Sequence, residues 1–191
     1  MAAPHGLTRP SAGAEFDITT PGGASLHVRP IGPDDRERLA AAFEALSERS
    51  RQRRFLVPKP RLSSAELTYL TEVDHRTHEA LVAVAADGRF VGVGRYACGP
   101  DDTTVADVAF AVADDWQGRG IGTALAVLIV ERARLNGIGR LQATTLPENG
   151  ASRKLLGRMG FEVCGISAGA LEVGLDLAAA ERDARLVRRA A

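Results

Sequence analysis

Residues 104 to 123 constrain the fold of this chain more than any other stretch. Thr104 to Ala113 is nearly continuous in apolar residues, as a central strand covered on both faces should be. It leads through Asp114-Asp115-Trp116 into a glycine-rich turn, Gln117-Gly118-Arg119-Gly120-Ile121-Gly122-Thr123. The turn opens a helix whose apolar positions, Ile121, Leu125, Leu128, Ile129 and Leu135, keep helical spacing up to a stop at Asn136-Gly137. Glycine at the turn removes side chains and lets a ligand approach the backbone. The first amides of such a helix lack intrahelical partners and stand at its positive end, where a pyrophosphate fits.

The remaining pattern predicts a single α/β domain with a mixed sheet, flanked by helices, and not a doubly wound parallel one. Leu26 to Arg29 alternates like a short strand, and Pro33-Asp34-Asp35 opens a helix with Leu39, Ala42, Phe43 and Leu46 on its buried face. Glu48 to Phe55 forms a second short helix. Ser63 and Glu66 have the spacing of a capping box for a third, reaching about Val73. Ala80 to Val84 and Phe90 to Gly94 pair through a turn at Asp87-Gly88. A strand over Arg140 to Thr145, a helix over Asn149 to Met159 and a closing hairpin of Phe161 to Ile166 with Leu171 to Leu177 complete the domain. Residues 1–23 read as a tail without periodicity, 24–177 as the domain, and 178–191 as a surface helix or tail.

Bulk properties exclude several classes. The 24 basic and 24 acidic residues cancel, so no global field draws the chain to nucleic acid or to a membrane surface. No apolar run has the roughly 20 residues of a membrane helix, and the start has no signal-peptide core, so a cytoplasmic location is expected. Cys98 and Cys164 stand far apart, and His75 and His78 have no third ligand near them, so no metal site is expected.

The turn does not fit the common nucleotide motifs. Its glycine spacing is not that of a dinucleotide fold, and no Lys-Ser/Thr pair follows as a P-loop requires. Gly92-Val93-Gly94 lies inside a strand and reads as a bulge or a close approach. The hexapeptide Gln117-Gly118-Arg119-Gly120-Ile121-Gly122 resembles the Q/R-x-x-G-x-G/A signature of the GCN5-related N-acetyltransferases. A second stretch, Asn149-Gly150-Ala151-Ser152 with Leu155-Leu156 and Gly160-Phe161, resembles that family's pantetheine-side helix. The likeness covers about Ala24 to Leu177. Val28 to Asp35 and Leu46 to Phe55 further resemble the acetyltransferase domain of bacterial protein-lysine acetyltransferases, without the regulatory or acyl-CoA synthetase module that accompanies some of them.

The resemblance implies an acetyl-CoA-dependent transfer to a primary amine, of a protein lysine or a small molecule, by direct attack in a ternary complex. By it, Gln117, Gly118, Arg119, Gly120, Ile121, Gly122 and Thr123 hold the pyrophosphate. Val112 pairs with the pantetheine and offers its N–H to the thioester oxygen. Asn149 and Ser152 border the pantetheine and the thiol. Pairing of two copies through the late strands is a family habit. Asp107 is the only ionisable side chain in the central apolar run, at the place of a catalytic glutamate in histone-acetylating members, and burial there would suit it as general base. The competing reading is a carboxylate salt-bridged at a sheet surface. One departure stands out: Leu156 occupies the position of the family's usual tyrosine acid. A thiolate of pKa near 8.5 leaves with little help from a proton donor. The same departure supports the alternative, a catalytically silent acyl-CoA-binding sensor. His75 reads as a hydrogen-bonded loop residue or an acceptor-side relay, and Arg49, Arg51, Arg53 and Arg54 as a solvated helix face with an anionic acceptor as the lesser option.

Overall fold

The central apolar run forms the strand Val105–Val112, fifth of eight in one mixed sheet. The structure is a computed structural model that describes residues 14–177. In chain order the strands are β1 (Phe16–Thr19), β2 (Ser25–Pro30), β3 (His78–Val84), β4 (Phe90–Cys98), β5 (Val105–Val112), β6 (Arg140–Thr145), β7 (Glu162–Ser167) and β8 (Ala170–Asp176). The helices are α1 (Arg36–Glu44), α2 (Glu48–Phe55), α3 (Ser64–Thr71), α4 (Ile121–Leu135) and α5 (Gly150–Arg158). The strand order is β1-β2-β3-β4-β5-β6-β8-β7, and only β5 and β6 run parallel. A parallel pair needs a long crossover, which α4 supplies.

Each face of the sheet carries its own core. On one, Leu125, Leu128 and Ile129 of α4 and Leu156 of α5 pack on Leu81, Ala83, Val91, Ala106 and Val108. Each leucine, isoleucine or valine among them, fully buried, stabilises the fold by roughly 1.5–3 kcal/mol. On the other face, Leu39 of α1 and Leu70 of α3 pack on Ala80, Val82 and Phe90. The capping box of α3 is present, with Glu66 N–H donating to Ser63 Oγ and Ser63 N–H to Glu66 Oε2. The Asp87-Gly88 turn joins β3 to β4 as expected.

Three expectations change. Residues 16–19, read as tail, form β1 against β2, because Phe16 and Ile18 join the main core. β4 runs four residues beyond Gly94, carrying Arg95 and Tyr96 inward. Leu135, expected on the buried face of α4, is 40% exposed, and Arg132 takes an interior place instead. Arg132 is 2% exposed, donates to Ala14 O, and lies 3.9 Å from the fully buried Glu79. The Gly92 and Gly94 pair marks close packing. A Cβ on Gly92 would meet Ile121 Cγ2 and Leu125 Cδ1 at 2.9 Å, and the strand irregularity lies at Ala83/Val84. Residues 178–191, read as a surface helix or tail, lie outside the described residues.

Candidate active site

The site forms where the parallel pair comes apart. β5 and β6 are paired only over Val105 to Asp107, against Arg140 to Gln142. Beyond that point the strands diverge, and a cavity of about 550 Å³ opens between Val108 to Val112 on one side and Ala143 and Thr144 on the other. The backbone of β5 is left to serve it. Ala113 N–H donates to Val91 O, and the alternation of an antiparallel ladder then spends every second residue on β4. The N–H groups of Val108, Phe110 and Val112 therefore turn toward the gap. Val112 is the donor expected from the sequence; Phe110 is a second one that the sequence reading missed.

The floor of the cavity is the glycine turn. Gly118 and Gly120 have φ of 77° and 85°, a left-handed conformation that costs other residues roughly 1–2 kcal/mol. Gly120 is the N-cap of α4 and brings no capping side chain; the first helical bond runs from Ala124 N to Gly120 O. The amides of Ile121, Gly122 and Thr123 are thus left to an incoming anion. Gln117, Gly118, Gly120, Ile121, Gly122 and Thr123 all line the cavity. Arg119 does not; its guanidinium stacks on Trp116, 4.9 Å from the ring centroid. Pro21 does, because the turn after β1 sets it where a Cβ on Gly120 would lie 3.3 Å away. The end of the expected tail is a wall of the site.

A polar latch ties this turn to α2. Asp114 Oδ2 accepts from Ser47 N–H at 2.8 Å, and Asp114 Oδ1 from the hydroxyls of Ser47 and Ser50 at 2.9 and 2.6 Å. Burial raises the Asp114 carboxyl, but these hydrogen bonds together outweigh it and hold the group below its ordinary value. Gln117 Nε2 donates to Val112 O at 3.1 Å and to Ser50 Oγ at 3.3 Å. On the far wall, Asn149 is 8% exposed and caps α5, its Oδ1 accepting from Ser152 N–H at 3.3 Å. Asn149 and Ser152 both line the cavity, as does Leu156, whose side chain is buried and offers no proton.

The cavity suits a pyrophosphate-bearing thioester: amides at the turn, an unpaired strand edge along the arm, and cationic side chains at the rim. Arg53, Arg54, Lys154 and Arg158 are among its lining residues, and among the described residues no carboxylate or histidine lines it. Asp107 lies at the vertex of the fork as the last residue of β5 paired to β6. It is exposed and outside the cavity lining, so the burial expected of it is absent. The reason is cover: Ala106 and Val108 on the opposite face of β5 are buried, whereas among the described residues nothing closes over Asp107 on its own face. Asp107 does share its sheet face with Ala109 and Ala111, which line the cavity.

The histidines divide. His75 Nδ1–H donates to Glu79 Oε1 at 2.7 Å, and the His75 carbonyl accepts from Asn136 Nδ2 just past the end of α4. α4 has 15 residues, so this cluster lies about 22 Å from the glycine turn and serves the core. His78 Nε2 accepts from Arg95 Nη1 at 3.2 Å, since a guanidinium can only donate. Burial first, and then the Arg95 charge, push His78 down to about 4, so its ring is neutral at pH 7.

Comparison with known proteins agrees with this layout. The family profile described as "Acetyltransferase (GNAT) domain" matches residues 25–162. The chain is 40% identical over 146 residues to the acetyltransferase Pat of Mycolicibacterium smegmatis; the match covers 72% of this chain and 41% of that protein. An acetyltransferase of Pseudomonas aeruginosa is 34% identical over 142 residues, covering 73% of this chain and 76% of its own length. Among solved structures, the GNAT domain of S. lividans PAT superposes with a TM-score of 0.80 at 33% identity, covering 85% of this chain and 97% of that one. The glycine turn, the forked strands and these matches together show that the chain belongs to the GNAT acetyltransferase family, whose acetyl donor is acetyl-CoA.

Proposed function

We propose that this acetyltransferase domain passes the acetyl group of bound acetyl-CoA directly to a primary amine, on a protein lysine or a small molecule. The observation that carries the reading is the unpaired edge of β5, which meets an amide cradle at one end and a carboxylate at the other. Acetyl-CoA supplies an activated acyl carbon and a thiolate leaving group. The amides of Ile121, Gly122 and Thr123 hold its pyrophosphate, and Asn149 and Ser152 flank its arm. Asp107 takes the proton from the attacking amine through water.

Strand rise favours the Phe110 N–H over that of Val112 as the donor to the thioester oxygen. Asp107 and Val112 lie about 17 Å apart along β5, and Asp107 and Phe110 about 10 Å. A base working through one water must stand within roughly 6 Å of the nitrogen it deprotonates. Phe110 stands about 7 Å nearer the base than Val112 does, so its N–H is the better placed of the two donors, and Val112 then pairs with the pantetheine. The buried Leu156 fits a mechanism in which the thiolate leaves unprotonated.

The test is thiol release from acetyl-CoA against amines and lysine peptides, with Asp107→Asn beside the parent. Turnover on one acceptor class that falls by roughly 10²–10⁴ in the variant supports the reading. Acetyl-CoA binding without transfer to any acceptor, unchanged in the variant, establishes the silent-sensor alternative that Leu156 favours.

A further inference from the structure

Two arginines on the acceptor side of β5 have no acid to answer them. Arg95 projects from β4 directly opposite Ala109, on the sheet face that carries Asp107 one step along the strand. Its Nη2 donates to Leu70 O at 3.0 Å and its Nη1 to the neutral His78, which fixes the guanidinium but leaves its charge uncompensated. Arg54, at the C-terminal end of α2, shares with Arg95 the lining of a small cavity, and the two charges repel. It lines both the main cavity and a smaller apolar one of about 60 Å³ beneath α1 and α2. Among the described residues Arg54 has no hydrogen bond and no ion pair; its guanidinium stands 4.8 Å from the ring centroid of Phe55 and near the Tyr69 phenol.

Resting on the transfer reading above, we propose that Arg54, backed by Arg95, is a receptor for a carboxylate carried by the acceptor, so that the substrate is an amine with a carboxylate close to it. A buried and a half-buried like charge side by side are costly, and an anion between them relieves the cost. A guanidinium matches a carboxylate in two-point geometry. Burial lowers Arg54 to about 10, and burial with the Arg54 charge lowers Arg95 to about 9, so both stay protonated at neutral pH. Placement fits as well. Asp107 is a diagonal neighbour of Arg95 across the β4–β5 pair, roughly 7–8 Å away at the backbone, a span that one amino-carboxylate substrate covers. Among the described residues the cavity lining has no acid to hold a second ammonium, which argues against polyamines. The carboxylate comes from a free amino acid or from an acidic residue beside a lysine in a peptide.

The experiment compares kcat/KM for lysine against cadaverine, and for a lysine peptide with neighbouring Asp against the same peptide with Asn, in the parent, Arg54→Gln and Arg54→Lys. The parent should prefer the carboxylate member of one pair by ~10-fold or more, and that pair identifies the source. At saturating acetyl-CoA, Arg54→Gln should bring the two members of that pair to within about 2-fold of each other, the loss falling on KM for the carboxylate member, while Arg54→Lys retains part of the preference. Parallel thermal-shift titrations with glutarate need no turnover: protection in the parent, absent in Arg54→Gln, is expected. Robust transfer with no carboxylate preference, or an Arg54→Gln defect confined to acetyl-CoA binding, overturns the proposal. Glutarate protection that depends on Arg54, with no acceptor turned over, upholds the anion site and rejects the transfer reading beneath it.

Discussion

Gly92→Ala should both destabilise the domain and loosen its hold on acetyl-CoA, because one contact sets the height of α4 above the sheet. The new methyl carbon would lie 2.9 Å from Ile121 Cγ2 and from Leu125 Cδ1. Carbon atoms prefer about 3.5–4.0 Å, so the start of α4 must lift by roughly 0.6–1 Å. Overpacking of that size costs about 1–3 kcal/mol. For a domain of this length that corresponds to a fall in Tm of roughly 2–12 °C. Ile121 is also the first residue of α4, and its amide belongs to the pyrophosphate cradle, so the lift is transmitted to the ligand. Gly94→Ala is the control. Its Cβ would lie 3.1 Å from Ile129 Cγ1 and Phe110 Cδ1, deeper along the helix and with less overlap. Thermal unfolding and calorimetric titration with acetyl-CoA should show both losses in Gly92→Ala, and only a smaller stability loss in Gly94→Ala. A Gly92→Ala protein as stable as the parent, or destabilised with full acetyl-CoA affinity, would refute the link between the strand glycine and the cradle.

Other expectations follow from buried polar groups. Arg132→Leu leaves Glu79 fully buried with His75 as its remaining side-chain partner, and chemical denaturation should show a loss of about 3–5 kcal/mol, partly recovered in the Glu79→Gln/Arg132→Leu double variant. Asp114→Ala removes both bonds of Ser47 and one of the two that tie Ser50 to the glycine turn, and steady-state kinetics should show KM rising for acetyl-CoA and acceptor together, by about 10-fold. His78 takes its proton at about 4 in the fold and at about 6.5 unfolded, so its contribution is complete above pH 6.5 and disappears as pH falls toward 4. Denaturation across that window should show a decline of roughly 1–2 kcal/mol, after allowance for solvent screening, that is absent in His78→Gln.

Most of the fold could be read from local chemistry. The capping box at Ser63, the Asp87-Gly88 turn and the stop at Asn136-Gly137 each specify their backbone through neighbours in sequence, and each element falls where it was expected. β1 could not be read so, because four residues between proline- and glycine-rich stretches hold a strand only when β2 pairs with them. Arg95 and Tyr96 hid the end of β4 for a similar reason. Inward polar residues break the apolar pattern, and what satisfies them, Leu70 O, His78 and Asn136, is remote in sequence.

The site divides along the same line. Glycine positions and the N-cap of α5 are backbone requirements, so the motif residues that carry them stand where the sequence put them. Exposure is a property of what covers a strand, and no periodicity in β5 reports how far α1, α2 and α3 extend over it. The alternation of β5 therefore placed Asp107 on the correct face and wrongly inside. α2 shows the converse: its run of arginines reads as one solvated face, yet Arg54 is turned toward Arg95 and the cavity while Arg49 faces solvent. Adjacent residues on a helix point about 100° apart, so a run of like charges must send some of them inward if one flank of the helix is packed. A charge run on a short helix against a sheet thus says that cations are present. Only the packing says which of them a substrate can meet.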